Sequence, residues 1–143
     1  MSNNEKAKLA DLGDQGVYIG GPGAAGKAVD VAVAQRGKMY SWGAAGPNTF
    51  DCSGLTMYAY AAAGISLPHS SRSQYNIGKS VSRSALLPGD LLFYGGSAGS
   101  IHHVAMYVGG GMIVHASTSG QPVKVVGVDG GGSDFFGAKR IVG

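Results

Sequence analysis

The chain has 143 residues, of which 44% are hydrophobic and 13% charged, with a formal net charge of +3. That is enough for one compact domain with its own core, too short for two, and too apolar for a disordered chain. The small positive excess fits anionic surroundings such as cell-wall polymers, but no basic cluster interleaved with aromatics is present, so a nucleic-acid partner is excluded. No apolar run approaches the ~18 residues of a membrane span. The single cysteine rules out an intrachain disulfide, and stability must come from packing.

Residues 1–23 read as a flexible tail or linker closing on Gly20-Gly21-Pro22-Gly23, and 24–143 as the folded domain. Residues 24–35 predict a helix, with Gly37 placed to end it. A loop follows over 40–49. Asp51 then fits a helix N-cap with Cys52 in the first turn; Leu55, Tyr58, Ala59 and Ala62 give the buried face, and Gly64 stops the helix. Leu67-Pro68 opens a connection with a short helical stretch near 71–77. Past Pro88-Gly89-Asp90, a turn, the period changes. Strands are expected at 91–94, 103–108, 112–116, 123–128 and 138–142, with a flexible loop at 95–100 and a loose one at 130–132. Helices first and an antiparallel sheet second is an α+β pattern.

Cys52, at the mouth of the second helix, is the candidate nucleophile. The thiolate is the reactive form, and a free thiol titrates near ~8.5, so it needs help at neutral pH. The unpaired N–H groups of a helix N-terminus favour a negative sulfur, and a neighbouring imidazole forming a thiolate–imidazolium pair favours it more. A third polar group must orient that imidazole.

The base and orienter are sought on the strands at 103–108 and 112–116. His103, Ala105 and Tyr107 share one strand face; His102, Val104 and Met106 share the other. A two-residue loop at Gly109-Gly110 would pair Val108 with Gly111 and leave His103 and His115 on opposite faces. A three-residue loop pairs either Val108 with Met112 or Tyr107 with Gly111, and both arrangements bring the two histidines to one face. Three consecutive glycines suit the longer loop. An odd-length loop or an equivalent bulge is therefore expected.

Tyr40-Ser41-Trp42-Gly43, Asp51-Cys52-Ser53-Gly54-Leu55, Leu67-Pro68, Leu87-Pro88-Gly89-Asp90-Leu91, and His103-Val104-Ala105-Met106-Tyr107-Val108-Gly109 followed by His115-Ala116 together resemble the NlpC/P60 family, in that family's order. The resemblance implies a papain-like α+β fold, helices packed on an antiparallel sheet. It further implies a cysteine peptidase that cleaves peptidoglycan stem peptides between γ-D-glutamate and a diamino acid. Cys52 would be the nucleophile, His103 the base and His115 the third polar residue. Tyr40, Asp51 and Ser53 match positions lining the substrate side of the cleft. Two positions depart from the pattern: His69 stands where an arginine is common after Leu-Pro, and Ala105 where glycine is common.

Trp42 and Tyr40 are expected to be part core and part cleft wall, and His69 a loop residue within reach of substrate. His102 is expected to face solvent or form a groove wall. No metal or other cofactor is implied: Cys52, His103 and His115 are zinc-ligand types, but the spacings typical of such sites are missing. The expected partners are peptidoglycan stem peptides or muropeptides, bound by a monomer. Residues 1–16 carry no apolar leader segment. A substrate outside the cytoplasmic membrane then leads to the expectation of an extracellular or cell-wall protein whose export signal was removed. A non-catalytic wall-binding module and a thiol amidase or acyltransferase on the same scaffold are the alternatives.

Overall fold

Apolar residues in adjacent pairs one turn apart put Ala28, Val29, Ala32 and Val33 on one face of the first helix, and all four are buried. A computed structural model describes residues 23–142; apart from Gly23, the tail expected over 1–23 lies outside the described residues. Helix α1 spans Gly23–Ala34 and α2 Cys52–Ala62. Asp51 caps α2 as expected: its backbone is extended and Oδ1 accepts the Gly54 N–H at 2.7 Å. Gly64, at φ 84°, follows its end. Helix α3 is a single turn, Ser71–Gln74, capped by Ser70.

Among the described residues, six strands form one antiparallel sheet. They are β1 (Lys79–Val81), β2 (Leu91–Gly95), β3 (Ile101–Gly109), β4 (Met112–His115), β5 (Lys124–Gly127) and β6 (Phe135–Arg140), in the order β1-β6-β2-β3-β4-β5. Every residue of β2 is buried, because both faces of the sheet are covered. Leu91, Phe93, Val104 and Met106 pack with Val29, Leu55 and Ala59 of the helices. Leu92, Tyr94, Ala105 and Ile113 form a second cluster on the other face with Val128. A strand buried on both sides reads as the continuous apolar run Leu91-Leu92-Phe93-Tyr94 rather than as an alternation.

The expected strands are present, with three differences. β1 was not expected; it is a three-residue edge strand with little burial and therefore no hydrophobic signal. β6 begins at Phe135 rather than 138, extended through a bulge between its pairs with Phe93 and Tyr94. The segment at 130–132 is not a loose loop: Val128–Gly131 form a 3-10 turn, and a Cβ on Gly131 would lie 2.5 Å from the Tyr94 ring.

Buried polar ties hold the turn before β2. Asp90, 2% exposed, receives the Arg140 Nε and Nη2 protons, both at 2.9 Å, and the Leu87 N–H at 2.8 Å. The Tyr60 hydroxyl donates to the Gly89 carbonyl at 2.6 Å. These bonds connect α2, the Pro88-Gly89-Asp90 turn and β6, which fixes the sheet against the helix that carries Cys52.

Candidate active site

Asp51 does more than cap α2. Oδ2 accepts the Gly43 N–H at 3.0 Å, and Oδ1 pairs with His69 Nε2 at 2.8 Å. One carboxylate thus gathers the Trp42-Gly43 loop, the first turn of α2 and the segment after Pro68. Gly54 permits the approach, because a Cβ there would sit 2.1 Å from the Ala44 carbonyl oxygen and 2.8 Å from Asp51 Oδ1.

Gln74, which sequence reasoning missed, completes the frame. It is fully buried, donates from Nε2 to the Ser53 carbonyl at 3.0 Å and to the Pro68 carbonyl at 2.8 Å, and accepts from Thr56 Oγ1 at 2.7 Å. Its only sequence signal is a polar residue inside a short helical stretch, which looks like a solvent-facing position.

The β3–β4 hairpin brings the histidines together. The loop is the two residues between the pair Gly109–Met112, and that register alone would place His115 on the wrong face. A bulge between Tyr107 and Gly109 inserts one residue and restores the pairings Tyr107–Ile113 and Met106–Val114. This is the bulged form of the expected odd count. Gly109, which closes β3, and the loop residues Gly110 and Gly111 all have positive φ, which explains the run of three glycines. His103 Nε2 then lies 2.9 Å from His115 Nδ1, with the rings tilted 67°. The Tyr94 ring lies 5.6 Å from that of His103, and its hydroxyl donates to the Val128 carbonyl.

Cys52 meets β3 where β4 has ended. Tyr107 bonds towards β2 through its N–H and C=O. Alternation turns the Val104 N–H to the other edge, beyond the β3–β4 pairing, where it is directed to the Cys52 sulfur. The Val104, Ser53 and Cys52 N–H groups favour the thiolate, but burial outweighs them, and the Asp51 charge also opposes it. The thiol is held above its ordinary value. His103 is pushed down to about 3, first by burial and then by like charge at His115 and His102, with Asp134 acting the other way. His115 is pushed down to about 4 by burial and then by Lys124. Burial thus works towards the neutral form of both the thiol and the imidazole, against the pull of the helix N-terminus on the sulfur.

A cleft of about 560 Å³ runs over Cys52, and its lining includes Tyr40, Trp42, Asp51, Ser53 and His69 together with Ile101, His102 and Ser117. All five expected substrate-side residues line it. Trp42 is 87% exposed and contributes nothing to the core, contrary to expectation, whereas Tyr40 is packed against the core. His103 and His115 line an adjoining cavity of about 160 Å³ that shares His102 and Ser117 with the cleft. Arg72, also missed, lines the cleft three residues beyond His69, with Nε bonded to the Ile101 carbonyl. It supplies a cation on the rim where His69 replaces the arginine of the resembled pattern. Among the described residues no group of three or more His, Cys, Asp or Glu is arranged to hold a metal ion, and no helix is long and apolar enough to cross a membrane.

A model of the NlpC/P60 family matches residues 37–135. The chain is 46% identical over 112 residues to a probable endopeptidase of Mycobacterium tuberculosis, covering 78% of this chain and 28% of that protein. It is 44% identical over 113 residues to the probable endopeptidase p60 of Listeria monocytogenes, covering 78% of this chain and 23% of that one. It thus spans about a quarter of the length of these curated relatives. Among solved structures it superposes on the NlpC/p60 domain of the peptidoglycan hydrolase SagA with a TM-score of 0.74 and 36% identity, covering 81% of this chain and 97% of that chain. Its fold is the papain-like fold of these domains.

Proposed function

The chain belongs to the NlpC/P60 family, and on that footing we propose that it is a cysteine peptidase. Its substrates are peptidoglycan stem peptides or muropeptides outside the cytoplasmic membrane, and it cuts between γ-D-glutamate and a diamino acid. The carrying observation is the 2.9 Å contact between His103 Nε2 and His115 Nδ1 beside a cleft that contains Cys52 at a helix N-terminus. The endopeptidase names of the relatives and the peptidoglycan hydrolase SagA support the same class.

With Nε2 committed to His115, the Nδ1 of His103 is the nitrogen left for the thiol proton. His103 takes that proton as the Cys52 sulfur attacks the amide carbon. The negative oxygen that forms is received by the Cys52 N–H, with a second donor in the hydroxyl of Tyr40, which lines the same cleft. His103 then returns the proton to the leaving amine, and water releases the acyl group by the reverse use of the same base. Burial that disfavours both ions supports a general-base course, in which charge develops as the bond forms.

Mass analysis of muropeptides after incubation with the protein in reductant tests the bond. The proposal requires products ending in γ-D-glutamate. Release of the whole stem from the sugar would instead identify a thiol amidase. Retention on insoluble peptidoglycan without any product would identify a binding module.

A further inference from the structure

Two bulges flank Tyr94 and bring together a second pair of side chains. β3 holds one extra residue, His102, between the pairings Gly95–Ile101 and Tyr94–His103. β6 holds one extra residue, Phe136, between Tyr94–Phe135 and Phe93–Gly137. A bulge re-aims the side chain it carries. Here His102 Nε2 meets Asp134 Oδ2 at 2.7 Å, and the Asp134 carbonyl is fixed by the Gly95 N–H at 2.9 Å. The His102 side chain is 59% exposed and lines both the Cys52 cleft and the cavity holding His103 and His115.

The pair has a definite chemical character. His102 Nε2 is engaged by Asp134 Oδ2, and Nδ1 is the ring nitrogen left for a ligand. Asp134 has no lysine or arginine salt-bridge partner among the described residues, and its hydrogen bond from His102 holds its carboxyl below the usual range. Asp134 therefore brings a carboxylate to the pair, directly behind a histidine that lines the cleft. Asp51, the carboxylate that lines the cleft itself, is already occupied by Gly54, Gly43 and His69.

Position follows from the reaction. The leaving amine takes its proton from His103, so the leaving half of the substrate lies against β3, and His102 is the adjoining residue on that strand. We propose that the His102–Asp134 pair is the subsite for the leaving diamino acid and binds its free side-chain ammonium, so that the protein distinguishes stems with a free side-chain amine from stems in which that amine is acylated. This inference rests on the endopeptidase reading given above.

The probes are two synthetic stem peptides containing γ-D-glutamyl-L-lysine, identical except that the lysine side-chain amine is free in one and acetylated in the other. Their affinities are measured calorimetrically on the Cys52→Ala protein, so that turnover does not enter. The free-amine peptide is expected to bind about fivefold to tenfold more tightly, as for a solvent-accessible charged hydrogen bond. That ratio is expected to fall to about one when Asp134→Asn or His102→Gln is added. Both substitutions are on partly exposed side chains and leave the Asp134 carbonyl in place. Equal affinities in Cys52→Ala, a ratio untouched by either added substitution, or no binding of either peptide would overturn the assignment. Cleavage by the wild-type protein is read separately: failure to cut either peptide counts against the endopeptidase reading, while the affinity ratio still decides the subsite.

Discussion

His103 Nε2 and His115 Nδ1 face each other at 2.9 Å inside the protein, and His115 Nε2 is buried with no hydrogen-bond partner among the described residues. For His103 to act as base through Nδ1, its own proton must sit on Nε2 and be accepted by His115 Nδ1. The His115 proton is then on the unpaired Nε2, at a cost of about 1–3 kcal/mol. The orienting role needs only the acceptor.

His115→Asn keeps a side-chain acceptor for the His103 proton and exchanges the titratable ring for a neutral amide. It is expected to retain activity within about tenfold of wild type, whereas His115→Ala loses about a hundredfold or more through the free rotation and wrong tautomer of His103. Steady-state kinetics on one muropeptide measures both. An Asn variant no better than the Ala variant would remove His115 from the orienting role.

The same burial makes stability depend on pH. In the unfolded chain both imidazoles titrate near ~6.5; in the folded protein they do so at about 3 and about 4. Above ~6.5 both states are neutral and the contribution is complete. As pH falls below that, the unfolded chain takes up protons the folded one refuses, and stability falls by about 1.4 kcal/mol per pH unit for each histidine. Urea midpoints between pH 7 and pH 4 should fall less steeply for His115→Asn than for wild type, by about one proton. Parallel slopes would contradict the neutral pair.

Gly54→Ala places a methyl group 2.1 Å from the Ala44 carbonyl oxygen and against the Asp51 carboxylate. Both are held by hydrogen bonds, so the neighbours yield poorly. The expected cost is about 1–3 kcal/mol or more, together with lost activity from displacement of the α2 N-terminus. Thermal melting and turnover, measured on one preparation, should fall together.

Gln74→Leu leaves the Ser53 and Pro68 carbonyls without their shared donor and Thr56 with only the Ser53 carbonyl as acceptor. A loss of about 2–4 kcal/mol is expected, read as a lowered urea midpoint. A neutral substitution would mean that water replaces the amide there.

The contrast between Asp51 and Gln74 explains which parts of the site are legible in the sequence. Asp51-Cys52 announces itself locally, as a cap before an apolar periodic run. The hairpin histidines are legible because strand alternation and the glycine turn limit the registers to a few. Gln74 acts through carbonyls 6 and 21 residues away, and no local pattern encodes that. The His102–Asp134 pair depends on two bulges in different strands, and β6 enters the sheet between β1 and β2. Both are long-range pairings without a sequence period of their own. The reversal of charge preference at Cys52 has the same origin: the helix N-terminus is visible in the sequence, but the depth of burial that outweighs it appears only once the sheet is assembled.

The central claim is that Cys52 is the nucleophile. The most direct measurement is release of new amino groups from purified peptidoglycan in reductant, with wild-type and Cys52→Ala proteins side by side. The account predicts steady release by wild type and none above background by Cys52→Ala. Equal release by the two proteins would contradict it.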